Sequence, residues 1–302
     1  MSTSENGAES DRPMLVSVVI PVFNGLPDLG EQLEGLAEQD YSGPFEVIIS
    51  DNGSTDGLRA YLDRHPLTDR LRLRHIDSSA RPGGPYARNA GTAAAAGDFI
   101  AYTDQDDRVH AGWLSALVRA AADYDAVGGP IETETLNSSE VAAWRPTPEP
   151  EQRFTTQYLP FAHGNNIGMW RKTFDKLGGY DETMLGGGDD VDISWRIQQA
   201  GLTLGHAPEA MVAYRLRTTL RATWRQAVGY GRTSTEVYVK HRPLGCRRLP
   251  LSMTWLALLI VLRHNPVIPL TRSRIPTGLW VLHAGVLVGR IRASVRHRTF
   301  YV

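Results

Sequence analysis

"DFIAYTDQDD", residues 98–107, runs from apolar and β-favouring positions straight into Asp104, Asp106 and Asp107. The apolar part reads as a strand buried on both faces, as parallel strands covered by helices do. Three earlier runs share that character: "LVSVVIP" (15–21), "FEVIIS" (45–50) and "LRLRHI" (71–76). Helix-like stretches separate them. These are "PDLGEQLEGLAEQ" (27–39), with Pro27 suited to a first helical position, "TDGLRAYLDRH" (55–65), and "PYARNAGTAAAAG" (85–97), which ends on a glycine stop. "AGWLSALVRAAADY" (111–124) follows the acids as a further helix. This alternation predicts an α/β fold built on a single wound, mostly parallel sheet flanked by helices.

Ligands of open parallel sheets bind beyond the carboxyl ends of the strands. Asp51 directly follows "FEVIIS" and the acids at 104–107 follow "DFIAYT", so both fall on one edge, beside the end of "VSVVIPVFN". Carboxylates that close repel one another, and a cation is their natural partner. Asp-x-Asp suits Mg²⁺ or Mn²⁺, which take one or two carboxylates together with substrate phosphate oxygens. A solvated acidic turn is the plainer alternative, and Asp51 with the nearby Arg88 favours the site. The chain has neither G-x-G-x-x-G after its first strand, where "PVFNGLP" stands, nor a Walker A sequence.

Four segments in this order, "VSVVIPVFNG", "VIISDNGSTDG", "GPYARNAGTAAAAGDFIAYTDQDD" and "LGGYDETMLGGGDDVDISWRIQQAG", resemble the inverting glycosyltransferases of family 2 over roughly residues 15–215. The resemblance implies a GT-A fold, a nucleotide-diphosphate sugar donor, a hydroxyl-bearing acceptor and a divalent metal. Position by position, it implies that Asp51 contacts the nucleobase and Arg88 lies near the nucleotide. Asp104 faces the ribose or the metal, and Asp106 holds the metal. Pro21, Phe23 and Asn24 go with the donor side. Asp190 stands where the family keeps its general base, and one base suffices because inversion needs no covalent intermediate. Asp107 is placed as a secondary site residue, and His163 and Asn165 on the acceptor side, with core or turn roles as the alternative.

Asp189 and Asp190 also suit a helix N-terminus, with Asp189 as the cap. Asn52, where the family often has aspartate, suits the turn in "DNGS". Gly186, Gly187 and Gly188 suit either a loop closing over the acceptor or a plain connector. Many relatives place a histidine after the base helix where this chain has Ala213 and Tyr214, which puts a protein metal ligand from that strand in doubt.

The charge is divided along the chain. Its net value is −1, yet all 33 acidic residues lie at or before Glu236, and eleven Lys/Arg follow without one acid. Residues 1–13 read as a disordered tail, 14–241 as the GT-A domain, and 242–302 as a basic, apolar, helical extension. Its apolar runs, "WLALLIVL" (255–262) and "GLWVLHAGVLVG" (278–289), fall short of the roughly 20 residues a spanning helix needs. They suit helices lying on an anionic membrane surface. Packing on the catalytic domain is the alternative. The single cysteine, Cys246, fits a reducing compartment, and the expected location is cytoplasmic, peripheral on the inner face of the cell membrane. Nucleic acid is not an expected partner. The rival functions are a nucleotidyltransferase, which would need Arg and Lys near the first strand, and a non-catalytic membrane-docking scaffold.

Overall fold

Each apolar run of the first half becomes a strand. The computed structural model describes residues 12–266 and 275–302. The chain begins β1 (Val16–Val22), α1 (Leu29–Ala37), β2 (Phe45–Asp51), α2 (Leu58–Leu62), β3 (Leu73–Asp77) and α3 (Gly84–Ala94). It continues β4 (Phe99–Tyr102), β5 (Arg108–Val109), α4 (Trp113–Ala120), β6 (Ala126–Gly128), β7 (Ile131–Glu132) and α5 (Ser139–Ala142). Next come β8 (Ile167–Trp170), α6 (Arg171–Leu177), α7 (Asp189–Gln199), β9 (Leu204–His206) and β10 (Val212–Ala213). Helices α8 (Leu220–His241), α9 (Leu251–Arg263) and α10 (Thr277–Arg296) follow.

Seven strands form one sheet in the order β3-β2-β1-β4-β8-β6-β9, and β5-β10-β7 form a small second sheet. β1 pairs in parallel with β2 and β4, whereas β8 runs antiparallel to both its neighbours. Period-2 alternation sends Val18, Ile20, Val47 and Ile49 to one face, against Leu33 of α1 and Trp113 and Leu117 of α4. Val19, Ile48 and Ile100 take the other face, with Ile193 and Ile197 of α7. The sheet is thus covered on both sides, which explains why its strands lack polar alternation.

Local details differ from the sequence reading. Pro27 is not the first helical residue: it lies in the turn before α1, after a cis Leu26–Pro27 bond, and Asp28 precedes the helix. α3 stops at Ala94, before Gly97. A Cβ at Gly97 would stand 2.6 Å from the Leu15 carbonyl oxygen, so this glycine serves a close chain crossing. Within 165–182, the apolar start fills the slot between β4 and β6 as β8, and α6 follows as a short helix.

Residues 1–11 of the expected tail and 267–274 of the extension lie outside the described residues. α8 and α10 pack backbone to backbone. A Cβ at Gly231 would lie 2.1 Å from Val286 O, and one at Gly289 2.2 Å from Val228 O. Among the described residues no helix is long and apolar enough to cross a membrane.

α8 is tied to α7 through Asp192, whose carboxylate is fully buried. It meets Lys240 Nζ at 2.6 Å, His241 Nε2 at 2.8 Å and Arg196 Nε at 2.9 Å. Burial alone would raise its carboxyl, but His241, Lys240 and Arg196 outweigh it and hold the group below its ordinary value. A group depressed by folding stabilises above its unfolded pKa and loses that contribution as pH falls. Asp192→Asn is expected to cost about 3–5 kcal/mol at pH 7, because it removes the buried anion that Lys240, His241 and Arg196 share. In urea unfolding, the gap from wild type should narrow below about pH 4; a gap that stays constant with pH would contradict the linkage.

Candidate active site

The carboxyl ends of β1, β2 and β4 meet on one edge. Pro21 pairs with Ser50 and Val22 with Asp51 across the first two strands. Gln105 ties the loop after β4 to the loop after β1: its Oε1 accepts from Phe23 N at 2.7 Å and its Nε2 donates to Phe23 O. Asn24, with φ 50°, accepts from Thr55 N through its side chain. These bonds leave the Phe23 ring 58% exposed on the rim.

Asp51 accepts from Ser54 N at 2.7 Å and meets His75 Nε2 at 3.1 Å. Burial pushes its carboxyl up, yet Ser54 and His75 hold it below the ordinary value. Asn52 does more than shape its own turn. Its amide donates to Ser78 O and Arg81 O and its Oδ1 accepts from Gly83 N, which fixes the approach to α3.

α3 carries Arg88 inward, and this side chain joins the two halves of the site. Its Nη2 lies 2.7 Å from Asp104 Oδ1 and its Nη1 2.8 Å from Asp189 Oδ2, with the guanidinium only 8% exposed. Burial opposes the charge, but Asp104 and Asp189 outweigh it and raise the pKa. Asp189 is therefore not the cap of α7. Gly188, at φ 82°, holds the Ncap position and makes no side-chain bond, leaving the Asp189 carboxylate to Arg88. Gly186 and Gly187 also have positive φ, so this turn suits glycine at three successive positions.

Asp190 follows directly. Its Oδ1 accepts from Val191 N at 2.8 Å, and its Oδ2 lies 3.4 Å from Gly164 N and 4.0 Å from His163 Nδ1. Burial first, then repulsion from Asp189, lifts this carboxyl to about 6. His163 lends it no positive charge. The ring is packed against Phe154 and Phe161, and burial with the nearby Arg145 lowers its pKa to about 3.

Asp107 and Asn165 are buried against each other. Asp107 is fully buried, accepting from Asn165 Nδ2 at 2.6 Å and from Arg215 N at 2.9 Å. Burial, then Asp106 and Asp104, raise its carboxyl well above the ordinary range. The pair brings the loop after β10 onto the Asp-x-Asp segment. Arg215 also reaches Asp106 O and Glu31 Oε2, and Arg217 Nη1 reaches Asp106 Oδ2 at 2.9 Å. Tyr214 points elsewhere: its hydroxyl lies 3.3 Å from that of Tyr230, and Arg145 stacks over both rings. Sequence reasoning passed over Arg145, Arg215, Arg217 and Tyr230. The same strand-end logic that found Asp51 also applies to "YRLR" after β10.

The donor set fits a divalent cation only in company. Among the described residues no group of three His, Cys, Asp or Glu could hold a metal alone. Asp104 and Asp106 each have one oxygen on an arginine, and among the described residues no hydrogen bond reaches Asp104 Oδ2 or Asp106 Oδ1. Two such oxygens suit Mg²⁺ or Mn²⁺ when a phosphate supplies further ligands.

Residues 17–178, more than half of the chain, match the family described as Glycosyl transferase family 2. The chain belongs to this family. It is a glycosyltransferase with a GT-A fold. It is 32% identical over 248 residues to the pre-mycofactocin glycosyltransferase of Mycobacterium tuberculosis, covering 75% of this chain and 48% of the relative. The chain thus spans about half the length of that relative. The mannosyltransferase PcManGT from Pyrobaculum calidifontis, in complex with GDP-Man and Mn²⁺, superposes with a TM-score of 0.58 at 20% identity, over 94% of this chain and 88% of that one. S. aureus TarS 1-349, in complex with UDP-GlcNAc, gives 0.54 at 17% identity, over 96% and 93%.

Proposed function

We propose that this glycosyltransferase moves a sugar from a nucleotide-diphosphate donor to an acceptor hydroxyl with inversion of the anomeric centre. The observation that carries the reading is Arg88 bridging Asp104 and Asp189. One guanidinium sets the donor acids on one side and the Asp189–Asp190 pair on the other. Asp190 is the base. It takes the acceptor proton as the oxygen attacks from the face opposite the diphosphate, and the sugar–phosphate bond breaks as the new one forms. A carboxyl raised to about 6 is ionised at neutral pH yet more basic than an ordinary aspartate, as proton abstraction requires. Asp51 and the exposed Phe23, with Pro21 and Asn24, line the nucleoside side. A divalent cation on Asp106 and Asp104 would supply positive charge at the departing diphosphate. The neighbours solved with GDP-Man, UDP-GlcNAc and Mn²⁺ support this donor class.

The acceptor is a saccharide, lipid-linked or small-molecule hydroxyl of cell-envelope or secondary-metabolite glycosylation. A panel of UDP-, GDP- and dTDP-sugars should identify one class that raises the melting temperature with Mn²⁺, an effect erased by Asp106→Ala. With that donor, Asp190→Asn should lower kcat by about 10²–10⁴. Wild-type kcat/KM should fall on acidification through about pH 6, since the base must be ionised. Thermal stabilisation persisting unchanged in EDTA would contradict the metal, and an active Asp190→Asn the base.

A peripheral membrane location accompanies this reading. No α9 side chain is buried, and Trp255, Leu256, Leu259 and Leu262 are 56–66% exposed at spacings that share one helix face. Exposed Arg242, Arg247, Arg248 and Arg263 flank it, in a region free of acids. Such a face fits anionic lipid, with apolar side chains entering and arginines meeting headgroups. The protein should float with phosphatidylglycerol-containing vesicles, and Trp255→Ser/Leu259→Ser should weaken this about tenfold or more. Failure to bind anionic vesicles would overturn the location.

A further inference from the structure

The loop after β10 brings a second guanidinium to the Asp-x-Asp carboxylates. Unlike Arg88, Arg217 is not locked in place. Its side chain is 46% exposed and, among the described residues, its one carboxylate partner is Asp106, at 2.9 Å. The backbone that carries it is firmly held. Arg215 N–H is on Asp107, the Arg215 guanidinium spans Asp106 O and Glu31, and Thr223 Oγ1 donates to Arg217 O at 3.3 Å. The structure therefore anchors the root of Arg217 and leaves its tip free to choose between anions. Arg215, tied to three different acceptors, has no such freedom.

The neighbouring residue sharpens the point. Tyr214, the first residue after β10, turns its hydroxyl to Gln226 and Tyr230 and not to the acids. The strand end instead contributes a cation three residues later. A divalent ion on the open Oδ1 of Asp106 would repel the guanidinium on Oδ2 and loosen its hold. An ion pair this exposed is weak and therefore cheap to exchange. A phosphate offers the guanidinium a charge-assisted, two-pronged partner instead.

We propose that Arg217 is an exchangeable cation of the donor site: it rests on Asp106 while the cleft is empty and moves onto the donor's diphosphate once a divalent ion claims Asp106. The inference builds on the nucleotide-sugar reading above and assigns to Arg217 part of the charge stabilisation at the leaving group. It also makes the occupied and empty forms of Asp106 alternatives, so the carboxylate always has a positive partner.

Arg217→Gln separates these roles from simple structural support, with unchanged thermal unfolding in the absence of ligands as the folding control. Mn²⁺ binding without nucleotide, followed by electron paramagnetic resonance, should become several-fold tighter in Arg217→Gln, because the competitor is gone. Binding of UDP, GDP or dTDP at saturating Mn²⁺, whichever the wild type takes, should become about tenfold weaker, and Arg217→Lys should recover part of it. Opposite effects on metal and nucleotide would support the exchange. Unchanged or weaker Mn²⁺ binding, or unchanged nucleotide binding, would overturn it. If the wild type binds none of these nucleotides, the donor reading itself fails, whereas an intact wild type with an indistinguishable Arg217→Gln sinks only the role of Arg217.

Discussion

A guanidinium buried to 8% exposure cannot stand alone in a protein interior, and Arg88 meets that constraint with two carboxylates from distant parts of the chain. Asp104 arrives at the end of β4, and Asp189 opens α7, 101 residues away from Arg88. Each would be costly to hold without the arginine, and the arginine would be costly without them. Its buried Nε has no hydrogen-bond partner among the described residues, and its face lies 5.6 Å from the Tyr180 ring centroid. This knot positions the turn of three glycines, and the turn in turn delivers Asp190. Burial first, and then the charge of Asp189 fixed beside it, raises the pKa of Asp190.

The strands, and the edge where Asp51 and Asp104 lie, were legible in the sequence for a plain reason. A strand buried on both faces must be apolar throughout, so polar residues at its end mark where burial stops. Asp51 and Asp104 sit at such stops. β8 escaped because its four residues run straight into α6, with no turn to mark where strand becomes helix. Asp189 read as a cap because an acid before a helix is favourable by itself, and only the folded chain brings Arg88 into reach. Asn165 read equally as an acceptor-side or a core residue, because a buried side-chain pair spanning 58 positions leaves no local signature. Arg217 lay in plain view and lacked only the knowledge that β10 runs beside β5, directly after the acids.

The division of charge along the sequence also takes a physical form. The acidic part gathers its carboxylates around arginines of the same region, Arg88, Arg215 and Arg217. The basic part is joined to it by close helix contact, through Gly231 and Gly289 between α8 and α10, and by the Asp192 network between α7 and α8. The helix that carries Asp189 and Asp190 is thus braced by the segment leading to α9.

Arg88 and Asp189 act as a coupled pair that holds α3 and the start of α7 together. A double-mutant cycle with Arg88→Gln, Asp189→Asn and the combined variant, read by urea unfolding, tests it most directly. The predicted coupling is on the order of 2–3 kcal/mol, with the double variant less damaged than the two single losses summed. Additivity within about 0.5 kcal/mol would mean the two side chains do not support one another, and the architecture described for the site would not stand.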